Sequence, residues 1–162
     1  MKILLVEDDF DKREKIKSEV KNFFSESAEV VEKESLRSAW RAIVLSKYDL
    51  LILDMSLPSS DAATEFAGEE PESFAGREIM DQMRLRGISI PVIVVTQYQT
   101  FENGRVGLDE LILEFKSKYH DFFKGCIYYN SSSELWRREI ISKFSEVSVE
   151  IYNKEKNESS NS

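Results

Sequence analysis

Short apolar runs and amphipathic stripes alternate along the chain. Lys2 to Val6 is an apolar run of the kind a buried parallel strand shows. Asp9 follows with the chemistry of a helix N-cap, and Ile16, Val20, Phe23 and Phe24 then recur at i, i+4, i+7 and i+8, an amphipathic helix. Ala28 to Val31 predicts a second strand. Ser35 is placed to cap a helix carrying Leu36, Trp40, Ile43 and Val44, and Tyr48 to Leu53 predicts a third, central strand. Gly76 opens a short helix with Ile79, Met80 and Met83 on one face. Pro91 to Val95 predicts a fourth strand, ending in Thr96. Leu108, Leu111, Ile112, Phe115, Tyr119, Phe122 and Phe123 keep helical spacing over about four turns. Gly125 to Tyr129 predicts a fifth strand. Ser131 and Glu134 have the spacing of a capping box for a last helix through Leu135, Ile140, Ile141 and Phe144. From Asn153 the chain is polar and is expected to fray.

Strand and helix thus alternate without an internal repeat, which predicts an α/β fold: a doubly wound, five-stranded parallel sheet with helices on both faces. Residues 1–148 are expected to form that domain, with an acidic insertion at about 59–75, and 149–162 a polar C-terminal tail. In such folds ligands bind beyond the carboxyl ends of the strands, at the switch point of the winding. Residues just past each strand are therefore the ones to read for chemistry.

Composition narrows the classes. At 162 residues, 41% hydrophobic, with ten Phe, six Tyr and two Trp, the chain has material for one well-filled core, which excludes a disordered chain. No apolar run approaches the roughly 20 residues that span a bilayer, and Glu7-Asp8-Asp9 follow too closely on the start for a secretory signal. Cys126 is the single cysteine, so neither a disulfide framework nor a Cys-rich metal site is expected, and a cytoplasmic setting is. The net charge of −8 includes no basic stripe, which argues against nucleic-acid binding. Five of the acidic residues (Asp61, Glu65, Glu69, Glu70 and Glu72) lie between Ser59 and Ala75, with no Lys or Arg among them.

The strand ends collect a specific set of side chains. The first strand ends in Glu7-Asp8-Asp9, the third in Asp54 and the fourth in Thr96. Carboxylates converging on one crevice repel one another unless a cation joins them, and an all-oxygen donor set suits a hard ion such as Mg²⁺. The Thr96 hydroxyl can donate to an anionic oxygen. Carboxylate, Mg²⁺ and hydroxyl donor are parts for phosphoryl transfer, with an aspartate able to act as nucleophile. A single acidic residue at a strand-to-helix junction would be read as a cap; three such ends in register are harder to read that way.

The segments Ile3-Leu4-Leu5-Val6-Glu7-Asp8-Asp9, Leu51-Ile52-Leu53-Asp54-Met55-Ser56-Leu57-Pro58 and Pro91-Val92-Ile93-Val94-Val95-Thr96 make the sequence resemble the response-regulator receiver domains of two-component phosphorelays, over about Met1 to Val147. The resemblance implies a flavodoxin-like (βα)5 fold and a set of roles. Asp54 matches the phosphoacceptor. Asp8 matches the direct Mg²⁺ ligand, Glu7 the acidic partner acting through water, and Ser56 the residue whose carbonyl is the third protein ligand. Thr96 matches the hydroxyl that bonds the phosphoryl group and moves in switching. A histidine kinase or phosphotransfer protein is the implied donor. Output is implied through protein contacts on the face of the fourth helix, fifth strand and fifth helix, which can also pair homodimers. Receivers of this kind are signalling proteins, not enzymes in the ordinary sense.

The pattern breaks at the fifth strand. Receivers end it in Lys-Pro, the lysine neutralising a phosphoryl oxygen; here it reads Cys126-Ile127-Tyr128-Tyr129-Asn130-Ser131. Tyr129 takes the lysine position if Ile127 faces the core, with Asn130 as the alternative register. Lys124 stands at the opposite end of the strand, about 16 Å away. Lys12 and Arg13, in the first helical turn beside the carboxylates, are the other cations within reach. Gln97 replaces the very small residue usual after the hydroxyl and has the size to crowd the phosphoryl pocket. Two functions follow: a stand-alone receiver phosphorylated on Asp54, or a pseudo-receiver that serves as an interaction module without phosphorylation. An aspartate-nucleophile phosphatase is disfavoured, because Ser56 stands where a second aspartate would act as acid-base. His120 reads as a surface residue, and Cys126 as a small strand hydrophobe.

Overall fold

The computed structural model describes residues 1–60, 74–101 and 106–162. The elements in chain order are β1 (Lys2–Val6), α1 (Phe10–Phe24), β2 (Glu29–Lys33), α2 (Leu36–Leu45), β3 (Leu50–Leu53), α3 (Ala75–Leu85), β4 (Val92–Thr96), β5 (Thr100–Phe101), β6 (Val106–Gly107), α4 (Leu108–Lys118), β7 (Phe123–Tyr128) and α5 (Leu135–Ser160). Five strands form one parallel sheet in the order β2-β1-β3-β4-β7. This is the doubly wound parallel sheet predicted from the alternation, in the flavodoxin-like order that the resemblance implied. Its winding reverses between β1 and β3, so their carboxyl ends open onto the crevice.

Alternation along the strands divides the core. Leu4, Val6, Leu51, Leu53, Val92 and Val94 face a layer built by α2, α3 and α4. Ile3, Leu5, Leu50, Ile52, Ile93, Val95 and Ile127 face α1 and α5 through Ile16, Val20, Trp136, Ile140, Phe144 and Val147. Both faces being covered explains why β1, β3 and β4 are apolar at nearly every position. Asp9 caps α1 by accepting from the Lys12 N–H, and Ser35 caps α2 in a capping box with Ser38.

Several expected boundaries move. Helical spacing through Phe123 suggested a longer fourth helix; α4 ends at Lys118, with Tyr119 as C-cap. Phe122 and Phe123 are still buried, but in the turn and first residue of β7, so aromatic density there reflects strand packing. The β4–β7 register shifts between Val92 and Ile93, where Gly125 adopts φ +151°. Ser131 and Glu134 do not form a capping box: Asn130 Oδ1 accepts from the Ser132 N–H, and α5 begins only at Leu135, whose N–H bonds Ser133 Oγ. The segment after Asn153 stays helical to Ser160, since it has no Gly or Pro to break it and places Glu150, Lys154 and Glu158 four apart. The β5–β6 hairpin was not legible, its strands being two residues each. Of the acidic insertion, Phe74 packs against the core and against the Arg77 guanidinium, while Phe66 and the five carboxylates lie outside the described residues. No helix among the described residues is long and apolar enough to cross a membrane.

Candidate functional site

Strand register brings the acidic residues together. Val6 pairs with Leu53, and the ladder continues with the Asp54 N–H donating to the Val6 carbonyl at 3.0 Å. Glu7 and Asp54 therefore leave adjacent strands side by side. One carboxylate oxygen from each of Glu7, Asp8 and Asp54 lies within 4.8 Å of the others. Glu7 and Asp54 are buried and Asp8 exposed, so the group is open to solvent on the Asp8 side. Glu7 Oε1 accepts from the Asp9 N–H at 3.0 Å, and Asp54 Oδ1 from the Met55 N–H at 2.7 Å.

The electrostatics follow from crowding and burial. Burial, and next the Asp54 charge, push the Glu7 carboxyl from 4.5 up to about 8, against the opposing pull of Lys12. Asp54 is raised by burial although Lys12 and the Met55 N–H favour its charged form, and Asp8 is raised by burial. Three hard oxygen donors with raised affinity for positive charge fit a divalent ion such as Mg²⁺ and offer nothing to a soft one.

Lys12 enters this group from α1. Its Nζ lies 2.5 Å from Glu7 Oε2 and 3.3 Å from Asp54 Oδ1, and donates to the Val95 carbonyl at 2.9 Å. Burial disfavours its charge, but Asp54 and Glu7 outweigh that and hold the ammonium above its ordinary value. Arg13, the other candidate cation, turns away: it donates to the Glu7 carbonyl and pairs with Glu34 and Glu32 beside β2.

Thr96, Tyr129 and Ser56 lie at or just past the ends of β4, β7 and β3. Thr96 is fully buried at the end of β4; its carbonyl accepts from the Tyr129 N–H at 2.7 Å and its Oγ1 from the Tyr98 N–H at 3.2 Å. Tyr129 is buried on the α1–α5 side, its ring 4.9 Å from Trp136 and 5.7 Å from Lys12 Nζ. Ile127 faces that same core, so the register that puts Tyr129 in the lysine position is the one adopted; Asn130 is exposed. Ser56 is buried in the loop after Asp54. Gln97, just past the end of β4, is exposed. Cys126 is half-buried, its thiol pushed up to about 12 by burial and then by Asp54, so it is no nucleophile at neutral pH. His120 is exposed.

Sequence reasoning missed Gly76. A Cβ there would meet the Asp54 carbonyl oxygen at 2.6 Å and Met55 Cα at 3.1 Å, and the Gly76 N–H donates to the Met55 carbonyl at 3.1 Å. The first turn of α3 thus rests on the backbone that carries Asp54. A glycine one residue inside a helix, at the first helix after the Asp-bearing strand, was the available signal.

No family model matches the chain. Among curated proteins it is 28% identical over 151 residues to the Detocs response regulatory protein DtcB of Enterobacter cloacae, covering 91% of this chain and all of the relative. It is 30% identical over 144 residues to the uncharacterized protein y4jR of Sinorhizobium fredii, covering 86% and 94%. Among solved structures, a CheY-like response regulator receiver domain protein from Methanospirillum hungatei superimposes with a TM-score of 0.59 at 20% identity, covering 95% of this chain and 97% of that one. The response regulator TrrA from Thermotoga maritima, solved with Mg²⁺-BeF, gives 0.54 at 20% identity, covering 88% and 97%. A relative bearing the response-regulator name over its whole length, and a fold shared with receivers from end to end, agree with the strand-end residues: the chain belongs to the response-regulator receiver family of two-component signalling.

Proposed function

We propose that the chain is a receiver that accepts a phosphoryl group on Asp54 from the phosphohistidine of a histidine kinase or phosphotransfer protein and passes the signal on by protein contacts. The observation that carries this reading is the approach of the Glu7, Asp8 and Asp54 oxygens to within 4.8 Å at the switch point of the sheet. Glu7, Asp8, Asp54 and the Ser56 carbonyl are the residues that would hold Mg²⁺, which supplies charge neutralisation when bound. Asp54 Oδ1 is committed to the Met55 N–H and Lys12, so Oδ2 is the nucleophile. It attacks phosphorus as the donor's P–N bond breaks, and the imidazole leaves with the electron pair and takes up a proton. Thr96, one residue beyond the Val95 that neighbours Asp54 in the ladder, would donate its hydroxyl to a phosphoryl oxygen. Because Thr96 is backbone-bonded to Tyr129 at the start of the β7–α5 connection, its movement would be felt on the α4–β7–α5 face, where a homodimer or downstream protein would dock.

The test is the intact mass after incubation with acetyl phosphate and Mg²⁺. The wild type should gain one phosphoryl group and Asp54→Asn none. The second reading, an interaction module without phosphorylation, draws on Tyr129 in the lysine position; an unlabelled wild type would favour it.

A further inference from the structure

We propose that Lys12, delivered from the first turn of α1, is the cation that neutralises the phosphoryl group on Asp54, in place of a lysine at the end of the last sheet strand. The inference rests on the reading of Asp54 as acceptor.

Three observations carry it. Lys12 is only 1% exposed, and a lysine is almost never buried without partners. Its ammonium has three N–H groups and three oxygen partners, Glu7 Oε2, Asp54 Oδ1 and the Val95 carbonyl, so its position is fixed by geometry as well as charge. It also approaches from the correct side. Leu50, Ile52 and, by alternation, Asp54 point toward the α1–α5 layer, as do Ile127 and Tyr129 on β7. A strand-end lysine would reach Asp54 from that layer; Tyr129 occupies its place, packed on Trp136, with Lys12 Nζ 5.7 Å from its ring. The phenol closes the space and the α1 lysine brings the charge. The neighbouring cation Arg13 is otherwise engaged, with Glu32 and Glu34, and Lys124, at the far end of β7, pairs with Glu150 at 2.7 Å.

Formal charge shows why a second cation is needed. Glu7, Asp8 and Asp54 carry −3 when ionised, and Lys12 with a divalent ion brings the group to 0. Phosphorylation replaces the −1 of Asp54 with a phosphoryl group of about −2. With Lys12 the site then carries about −1, and without it about −2, in a buried setting where unpaired charge is costly. A purely structural lysine, there to relieve repulsion among the carboxylates, would instead be dispensable once Mg²⁺ is bound.

That difference is measurable. Beryllofluoride, a phosphoryl mimic, is titrated in saturating Mg²⁺ against wild type, Lys12→Met, and Lys12→Met with Tyr129→Lys, reading intrinsic tryptophan fluorescence. Mg²⁺ affinity is measured separately from the melting temperature, and acetyl phosphate labelling is followed by mass. Removing one charge-assisted bond should weaken beryllofluoride binding of Lys12→Met by about tenfold or more and slow labelling. Mg²⁺ affinity should hold or tighten, because a competing cation has left the carboxylates. Returning the charge from the strand end in the double variant should recover beryllofluoride affinity. Should Lys12→Met fail to fold, Lys12→Gln, a neutral side chain that keeps a donor for the Val95 carbonyl, decides by the same criteria. Wild-type beryllofluoride affinity and labelling in the neutral variant would overturn the proposal, as would a parallel loss of Mg²⁺ binding. A wild type that neither labels nor binds beryllofluoride would instead overturn the reading of Asp54 as acceptor, and this inference with it.

Discussion

Replacing Gly76 by alanine should damage the site without touching any charged group. The new Cβ would sit 2.6 Å from the Asp54 carbonyl oxygen and 3.1 Å from both Met55 Cα and Met55 Sδ. The sulfur can swing aside. The two backbone atoms cannot, because the Asp54 N–H is bonded to β1 and the Met55 carbonyl accepts from Gly76 itself. Restoring ordinary contact requires α3 or the Asp54 segment to move by roughly 0.7 Å. Overpacking of this kind costs about 1–3 kcal/mol. Alanine's better helix propensity returns less than about 1 kcal/mol at the second residue of a helix. The net loss is about 1–2 kcal/mol, and at roughly 2–4 °C per kcal/mol for a chain this size the melting temperature should fall by about 2–8 °C. Acetyl phosphate labelling of Asp54 should slow as well, since an ångström of misplacement is enough to impair catalysis. Gly87→Ala is the control. Gly87 closes α3 in a Schellman turn at φ +65°, with no atom within 4 Å of an added Cβ, so it should lose comparable stability through backbone strain while labelling normally. A Gly76→Ala protein that melts at or above the wild-type temperature and labels at the wild-type rate would refute the close-approach argument.

Two further outcomes test the electrostatics. Millimolar Mg²⁺ should raise the melting temperature of the wild type by mass action and leave Asp8→Ala unmoved; an equal rise in both would remove Asp8 from the metal site. With EDTA present, Glu7 gives a defined pH dependence. Its folded-state value of about 8 lies above the ordinary 4.5, so the folded protein holds a proton that the unfolded chain has released. Its contribution is complete below 4.5 and is lost as pH rises toward 8. The urea midpoint should therefore fall between about pH 5.5 and 8, by less in Glu7→Gln; equal slopes in the two proteins would contradict a Glu7 carboxyl raised by burial.

The sequence alone determined the fold class and the acidic half of the site, because both depend on local periodicity. Apolar runs flanked by amphipathic stripes dictate a covered parallel sheet, and in such a sheet Glu7, Asp8 and Asp54 meet simply by being the residues at which strands end. Element ends were less legible. Phe122 and Phe123 fit a helical period as well as a strand, and only packing of β7 against β4 assigned them to the sheet side of Tyr119. The cationic half was a tertiary decision. Lys12 and Arg13 are adjacent and chemically similar, and both stood within reach in the sequence. On a helix they point about 100° apart, and the rotation of α1 set by burying Ile16 and Val20 turns Lys12 to Val95, 83 residues away, and Arg13 to the Glu32 and Glu34 of the opposite edge. Gly76 belongs to the same class. Its lack of a side chain matters only because the folded chain lays α3 against the Asp54 carbonyl, a contact between residues that the acidic insertion separates in sequence.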